Sequence, residues 1–316
     1  IFQFFLFTNG HSFNKLFINF SAIFVYLGLI LFLAVLTSQY SKDLFDSFEN
    51  ILIYENILYK ENIVPILTIS GTIFAYFSMI IVNFGDYSRY VANQKELNKG
   101  NLSLLINLII FSLFSVLIVL GSDIVLAKNS IDVEKILTNP TDIIGKFDNI
   151  TLSVIALFFI VFASASTNLI ANYIPTQNTL LNFLPSKLNL KSSGVVIAFF
   201  AFLIAIFWQP LLSQIGILSF LDTASSFFGP IFGIVIVDYY FIKKQKIVNK
   251  DIFSSLTDSA YYYSGGWHIK GIYSLLIGFI FSSATIWNVD FNFLQSYSWL
   301  IGAFVSSITY YLLASR

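Results

Sequence analysis

Cysteine is absent from this 316-residue chain, and histidine occurs only twice, at His11 and His268. Without cysteine the chain forms no disulfide, no thiolate metal site and no cysteine nucleophile. Two isolated histidines with no cluster of carboxylates argue against a histidine-based catalytic or metal site. The 17 basic residues are balanced by 17 acidic ones, so no basic surface is available for a nucleic acid. The composition therefore predicts no enzyme, no resident cofactor and no nucleic-acid partner.

Charge of either sign is scarce. Charged residues make up 11% of the chain and hydrophobic residues 57%, and the mean hydropathy is +0.79. A soluble domain carries about 25% charged residues, so this chain has too few to coat a water-soluble fold. A helix needs about 20 apolar residues to cross a bilayer, and eight such segments predict an all-α, polytopic bundle in the lipid bilayer. The predicted spans are residues 17–38, 63–84, 102–122, 150–173, 193–208, 213–238, 270–289 and 294–314.

Two features of the chain bear on its organisation. Residues 1–8 are apolar but too short to span, and the chain begins with isoleucine, so we interpret them as the tail of an earlier span and the chain as a fragment. Residues 194–238 would make one helix of roughly 66 Å, about twice the hydrocarbon thickness, so a break is predicted at 208–210, where proline disrupts helices. No soluble segment interrupts the spans, and residues 1–316 are predicted to form a single membrane domain.

Basic residues are distributed unevenly between alternate loops. Twelve of the 17 lie on one side of the predicted spans and five on the other. The richer side is cytoplasmic under the positive-inside rule. This rule predicts a cytoplasmic C-terminus and external loops at 39–62 and 123–149. The membrane itself is interpreted as the plasma (inner) membrane.

Polar side chains are concentrated in the 150–173 span. Ala163, Ser166 and Thr167 are spaced three and four residues apart and share one helix face. Two hydroxyls with a backbone carbonyl are hard oxygen ligands suited to an alkali cation, and Asn172 offers a donor and an acceptor to an amide-bearing ligand. The same residue types also suit helix packing, because small residues let helices approach and hydroxyls and amides hydrogen-bond across the interface. Residue types alone favour packing.

Three further positions have alternative interpretations. Phe77 lies among small residues in the 63–84 span. Its ring is interpreted either as a stacking platform for a flat heterocycle or as an ordinary side chain that faces the core or the lipid. Asp86 and Arg89, at i and i+3, predict a structural ion pair. Asp222 is an acid inside a predicted span. It is either a proton relay or a hydrated interfacial carboxylate, and its position near the outer surface favours the interfacial carboxylate.

Four ordered blocks resemble the nucleobase–cation symporter-1 family, the permeases for cytosine, purines, uracil, thiamine, allantoin and hydantoins. The blocks are residues 83–90 (NFGDYSRY), 163–172 (ASASTNLIAN), 229–240 (GPIFGIVIVDYY) and 261–267 (YYYSGGW). The resemblance implies a twelve-helix secondary transporter with two five-helix inverted repeats and a site at the membrane midplane. On that plan residues 1–8 end helix 4, residues 17–38 form helix 5, residues 63–238 form the second repeat (helices 6–10), and residues 270–314 form helices 11 and 12.

The resemblance also implies roles for individual residues. A sodium ion is bound by the carbonyl of Ala163 and the hydroxyls of Ser166 and Thr167. Asn172 hydrogen-bonds the ring amide of the substrate, and Phe77 stacks on the ring at a position where sodium–hydantoin members have tryptophan. Leu221 falls near the outer gate. Gln3 falls in helix 4 and is not assigned to the site. The remaining ligands lie in helices 1 and 3 of the family, so this chain alone is not expected to transport.

The sequence therefore predicts a monomeric symporter that imports a small, planar, neutral nitrogen heterocycle together with sodium by alternating access. The heterocycle is a nucleobase or an allantoin- or hydantoin-like compound. A proton-coupled transporter of the same substrates is the first alternative, because hydroxyl ligands alone do not exclude protons. A membrane receptor or scaffold without transport is the alternative from a different class, and a membrane enzyme is the least supported.

Overall fold

The structure is a computed structural model, and it describes residues 2–9, 11–52, 59–128, 140–146, 150–215, 217–252, 254 and 256–315. The α-helices in these residues are α1 Phe2–Thr8, α2 His11–Leu52, α3 Lys60–Val82, α4 Phe84–Ser88, α5 Gln94–Lys128, α6 Pro140–Ile144, α7 Ile150–Asn168, α8 Ile174–Phe183, α9 Leu190–Ile215, α10 Ile217–Val237, α11 Ile269–Trp287 and α12 Ser298–Ala314. Two π-helical turns, Leu169–Tyr173 and Asp238–Ile242, follow α7 and α10. The 3-10 segments are Asn249–Asp251 and Val289–Tyr297.

Eight helical segments in the described residues are long and apolar enough to cross a membrane. They are Ser12–Ser38, Glu61–Val82, Gln94–Lys128, Ser153–Phe183, Leu190–Phe207, Phe220–Ile242, Ile269–Trp287 and Val289–Ala314. Each overlaps one of the eight spans predicted from the apolar runs. The all-α, polytopic class is therefore confirmed, and the chain is an integral membrane protein.

Two predicted boundaries differ from the structure. Beyond residue 38, α2 kinks at Tyr40, whose backbone is non-helical (φ −133°, ψ 27°), and then stays helical to Leu52. The break predicted at residues 208–210 is wrong, because α9 continues through them to Ile215 and α10 begins at Ile217. A proline removes a single backbone hydrogen bond, and membrane helices tolerate this loss where neighbouring groups satisfy the freed carbonyl.

The chain forms two compact units. The first comprises Ile1–Tyr59 and Asp86–Ala205 and holds α2, α5 and α7. Its buried apolar core gathers side chains from α1, from α2, and from the end of α7 with the π-helical turn that follows. These side chains are Leu6, Phe17, Ala165, Leu169 and Tyr173. Because Leu169 and Tyr173 are the first and last residues of the π-helical turn, the core holds this turn at both ends.

The second unit comprises Lys60–Gly85 and Ile206–Arg316 and holds α3, α10, α11 and α12. Gly229 on α10 faces the carbonyl of Trp299 on α12, and Gly233 faces the carbonyl of Ala303. Both contacts advance by four residues, so α10 and α12 run parallel. A Cβ atom at Gly229 or Gly233 would lie 2.2 Å from the facing carbonyl oxygen. The two helices therefore touch backbone to backbone, which is possible only with glycine at these positions.

This contact gives the first prediction. Replacing Gly233 with alanine forces α10 away from α12, and we expect the variant to lose about 1–3 kcal/mol of stability through overpacking. The matched control is Gly100→Ala on α5, where no described atom lies within 4 Å of an added Cβ. Alanine favours helix over glycine by about 1 kcal/mol, so this control is expected to melt at the same temperature or higher. Equal melting of the two purified variants in detergent would contradict the close contact.

Candidate functional site

One face of α7 carries the oxygen-rich cluster. The Ser166 hydroxyl donates to the carbonyl of Phe162 at 2.8 Å and to that of Ala163 at 3.1 Å, while Thr167 is exposed. Donating a hydrogen bond uses the hydroxyl proton and leaves the oxygen lone pairs available as acceptors. The cluster therefore offers a carbonyl and two hydroxyl oxygens within about one helical turn. In the described residues, no group of three or more His, Cys, Asp or Glu side chains could hold a metal ion.

A π-helical turn, which the residue types do not predict, begins directly after this cluster. It covers Leu169–Tyr173, and the amide of Ile174 donates to the carbonyl of Leu169, five residues back. Such turns are rare and frequently occur at functional sites. Asn172 lies within the turn, so it is displaced around the helix from the position that α-helical spacing gives it. No residue type marks the turn in the sequence, because the packing of Leu169 and Tyr173 in the core holds it.

Three side-chain amides form a chain across the first unit. Asn172 donates through Nδ2 to Oδ1 of Asn168 at 2.7 Å, and Asn168 donates through its own Nδ2 to Oε1 of Gln3. Gln3, which the resemblance does not assign to the site, is therefore linked to Asn172 through one residue. Asn172 is exposed, and its Oδ1 accepts no hydrogen bond from the described residues. Asn172 thus presents an acceptor, which suits a ligand that carries an N–H group.

Phe77 and Leu221 belong to the second unit, whereas the α7 cluster and Asn172 belong to the first. The Phe77 ring is half-buried and meets the Tyr76 ring edge to face, with 5.1 Å between the ring centroids. Beside it, the buried Ser78 hydroxyl donates to the carbonyl of Ala75 at 2.6 Å. Leu221 is half-buried on α10. The structure therefore brings Ala163, Ser166 and Thr167 together on one face, and it gives Phe77 a fixed aromatic neighbour.

The ion pair predicted between Asp86 and Arg89 is present, with 3.9 Å between Oδ1 of Asp86 and Nη2 of Arg89. The same carboxylate oxygen accepts a hydrogen bond from Nδ2 of Asn178 on α8, at 3.0 Å. Burial raises the pKa of the neighbouring Tyr87, and the negative charge of Asp86 raises this pKa further. Asp86 therefore ties the loop after α4 to α8, which is a structural role.

The interpretation of Asp222 as a hydrated carboxylate is wrong. The side chain is only 3% exposed, because the first turns of α10 pack against the 3-10 segment and the start of α12. Gln295 donates through Nε2 to Oδ2 of Asp222 at 2.8 Å. Oδ1 is buried and has no hydrogen-bond partner in the described residues. Position along a helix did not reveal this burial, since it depends on the segment after α11.

A second polar cluster lies at the other end of α10. Asp238 accepts a hydrogen bond from the Tyr310 hydroxyl at 2.6 Å and pairs with Nζ of Lys243 at 2.7 Å. In a π-helical turn residues five apart are bonded, and this brings Lys243 back over Asp238. Burial lowers the pKa of Lys243, but hydrogen bonds to Asp238 and Tyr263 outweigh it and leave that pKa raised.

The same cluster includes His268, whose Nε2 lies 3.3 Å from the Tyr310 hydroxyl. Burial lowers the pKa of His268, the negative charge of Asp238 raises it, and the positive charges of Lys243 and Lys270 lower it. The net result is a lowered pKa, so the imidazole is neutral at neutral pH.

This cluster gives the second prediction. Tyr310→Phe removes the hydroxyl that Asp238 accepts from, and we expect a loss of about 1–3 kcal/mol in the free energy of unfolding. Tyr311→Phe is the matched control, because Tyr311 is 47% exposed and the same atom is removed. Thermal melting of both purified variants checks the prediction. Equal melting temperatures would mean that the Tyr310–Asp238 hydrogen bond contributes nothing to the stability of the protein.

The eight spans and the buried polar clusters define a polytopic helical membrane protein. A family model described as "Permease for cytosine/purines, uracil, thiamine, allantoin" matches residues 1–313. The chain belongs to this family, and the resemblance drawn from the four sequence blocks is confirmed. No solved structure matches the chain.

Individual relatives carry consistent names. Over 242 residues the chain is 25% identical to "Allantoin permease" of Bacillus subtilis, covering 76% of this chain and 47% of the relative. It is 27% identical to "Purine-uracil permease NCS1" of Arabidopsis thaliana, covering 65% of this chain and 33% of the relative. It is 25% identical to "Putative allantoin permease" of Escherichia coli, covering 79% of this chain and 50% of the relative. These relatives are named permeases rather than enzymes, in agreement with the prediction that the chain is not an enzyme. The chain spans half or less of their length.

Proposed function

We propose that the full-length protein is a secondary active symporter that imports a small, planar, neutral nitrogen heterocycle together with sodium by alternating access. The observation that carries this proposal is the match of residues 1–313 to a permease family. The names of the relatives supply the substrate class, a nucleobase or allantoin. The unequal loop charges support a cytoplasmic C-terminus, and we propose that the protein is a monomer of the plasma (inner) membrane.

For the substrate we propose contacts with Phe77 and Asn172. The unbonded amide oxygen of Asn172 is an acceptor for the ring N–H that uracil, purines, allantoin and hydantoin all carry. The half-buried ring of Phe77 supplies a π-face for stacking, which favours planar compounds without selecting among their edges. We propose Leu221, in the first turns of α10, as a residue of the outer gate.

For the coupling ion we propose sodium, held by the carbonyl of Ala163 and the hydroxyls of Ser166 and Thr167. Support comes from the placement of these three oxygens on one face of α7, immediately before the π-helical turn that carries Asn172. Cation and substrate ligands that are a few residues apart on one helix provide a direct route for coupling between the two sites. Sodium here is a co-transported ion and not a resident cofactor.

Proton coupling is the second candidate, and the buried carboxyl of Asp222 is the observation that favours it. Uptake of labelled uracil, hypoxanthine, allantoin and hydantoin into proteoliposomes containing the full-length protein distinguishes the candidates. We expect uptake of at least one compound to collapse when choline replaces sodium at fixed pH. Uptake that is unchanged in choline would overturn sodium coupling in favour of protons. Binding without uptake would overturn transport and favour a receptor.

A further inference from the structure

Among the described residues of the second unit, Asp222 is an acid whose charge has little compensation. It lies in a membrane-spanning segment and is 3% exposed. One carboxyl oxygen accepts a single hydrogen bond, from the neutral amide of Gln295 at 2.8 Å, and the other is buried without a partner in the described residues. A buried carboxylate needs a paired cation or several hydrogen-bond donors, because burial strips it of water. In the described residues Asp222 has one donor, the Gln295 amide.

The described residues of the segments packed against α10 supply no counter-charge to Asp222. Their described titratable side chains are Glu61 and Tyr76 on α3, Lys270 and Tyr273 on α11, Asp290 and Tyr297 on the 3-10 segment, and Tyr310 and Tyr311 on α12. In the part of the chain that the structure describes, none of them forms an ion pair or a hydrogen bond with Asp222. The neighbouring hydroxyls are engaged elsewhere: Ser225 donates to the backbone carbonyl of Asp222 at 2.7 Å and lies 3.2 Å from the hydroxyl of Ser298.

We propose that Asp222 is a proton-binding site that is protonated at neutral pH, and that Gln295 covers the carboxyl by donating a hydrogen bond to its Oδ2. A proton neutralises the carboxyl through one covalent bond to Oδ1, the oxygen that lacks a partner. A sodium ion would need several oxygen ligands around that atom. Gln295 instead presents its N–H group to the carboxyl, and an N–H donor repels a metal cation. Asp222 belongs to the second unit, and the oxygen cluster proposed for sodium belongs to the first.

Loss of this proton changes the packing of α10. A bare carboxylate requires water or a cation, so deprotonation favours separation of the start of α10 from Gln295 and Ser298. If the proposed transport function holds, proton release is then linked to movement of the segment that carries Leu221. That linkage rests on the proposed function, whereas protonation of Asp222 does not.

Infrared spectroscopy of the purified full-length protein in lipid tests protonation directly. We expect a carboxylic acid C=O band at neutral pH that shifts when aspartate is labelled with ¹³C and is lost in Asp222→Asn. The band is expected to persist in Asp290→Asn, which alters an exposed acid of the 3-10 segment. In Gln295→Leu the band is expected to remain and to move to higher frequency, because the carbonyl oxygen loses its donor. A spectrum unchanged by Asp222→Asn would overturn the proposal.

Thermal melting supplies a second readout and separates protons from sodium. We expect the melting temperature of the wild type to fall as the pH rises from about 4, where an unfolded aspartate ionises, to beyond neutral, and that of Asp222→Asn to respond less. Asparagine resembles the protonated acid in shape and charge but releases no proton on unfolding, so the variant is expected to melt like the wild type at about pH 4 and at a higher temperature than the wild type at neutral pH. A sodium-dependent rise in melting temperature that is lost in Asp222→Asn, but kept in Ser166→Ala/Thr167→Ala, would overturn the proposal in favour of a metal site. Failure of uptake with the infrared band intact would refute only the transport function.

Discussion

Replacing Ser166 and Thr167 together with alanine is expected to shift the sodium dependence of uptake to much higher sodium concentrations. The double variant removes two of the three oxygens proposed as ligands on α7 while leaving the helix backbone unchanged. We expect its apparent affinity for sodium to fall at least tenfold, equivalent to about 1.4 kcal/mol. The measurement is uptake of the best substrate as a function of sodium concentration, with choline keeping the ionic strength constant.

Ser164→Ala is the matched control for this double variant. Ser164 is exposed and carries the same hydroxyl two residues before Ser166 on α7, which puts it on the opposite side of the helix from Ser166. We expect it to retain the sodium response of the wild type. Coupling between two ligands is reciprocal, so sodium is also expected to lose its effect on substrate affinity in the double variant. Retained sodium dependence in that variant would favour a packing role for the hydroxyls.

The helices were predictable because the physics of spanning a bilayer leaves few options. A backbone in hydrocarbon must satisfy its own hydrogen bonds, so each long apolar run becomes a helix, and eight of eight runs do. The ends were less predictable. Whether α9 stops at residue 208 or at Ile215 depends on how neighbours accommodate a proline, and sequence alone does not contain that information.

The candidate site was predictable only where chemistry is local. Ser166 and Thr167 share a face with Ala163 by helical spacing, and the ion pair between Asp86 and Arg89 follows from the same rule. The amide chain through Gln3 was not predictable, because it joins residues 165 positions apart in the chain. The burial of Asp222 likewise depends on Gln295, 73 positions away. Contacts of this kind arise from packing and have no local pattern.

Asn172→Ala is expected to lower substrate affinity by about 1–3 kcal/mol, roughly 5- to 150-fold, as for a buried hydrogen bond that is lost. The side chain donates to Asn168 at 2.7 Å and keeps its own oxygen unbonded among the described residues. Alanine removes the acceptor that we propose for the ring N–H of the substrate. Asn182→Ala on α8 is the matched control, because Asn182 is exposed and its loss is expected to leave affinity unchanged.

A pair of ligands makes this prediction specific to the proposed hydrogen bond. An N-methylated hydantoin lacks the donor, so the wild type is expected to prefer hydantoin over it, and Asn172→Ala is expected to reduce that preference. Phe77→Ala is expected to weaken both ligands alike, because stacking engages the ring face and not its edge. If Asn172→Ala instead weakened both ligands equally, the amide would be acting through the fold of the π-helical turn, and the substrate N–H would be bound elsewhere.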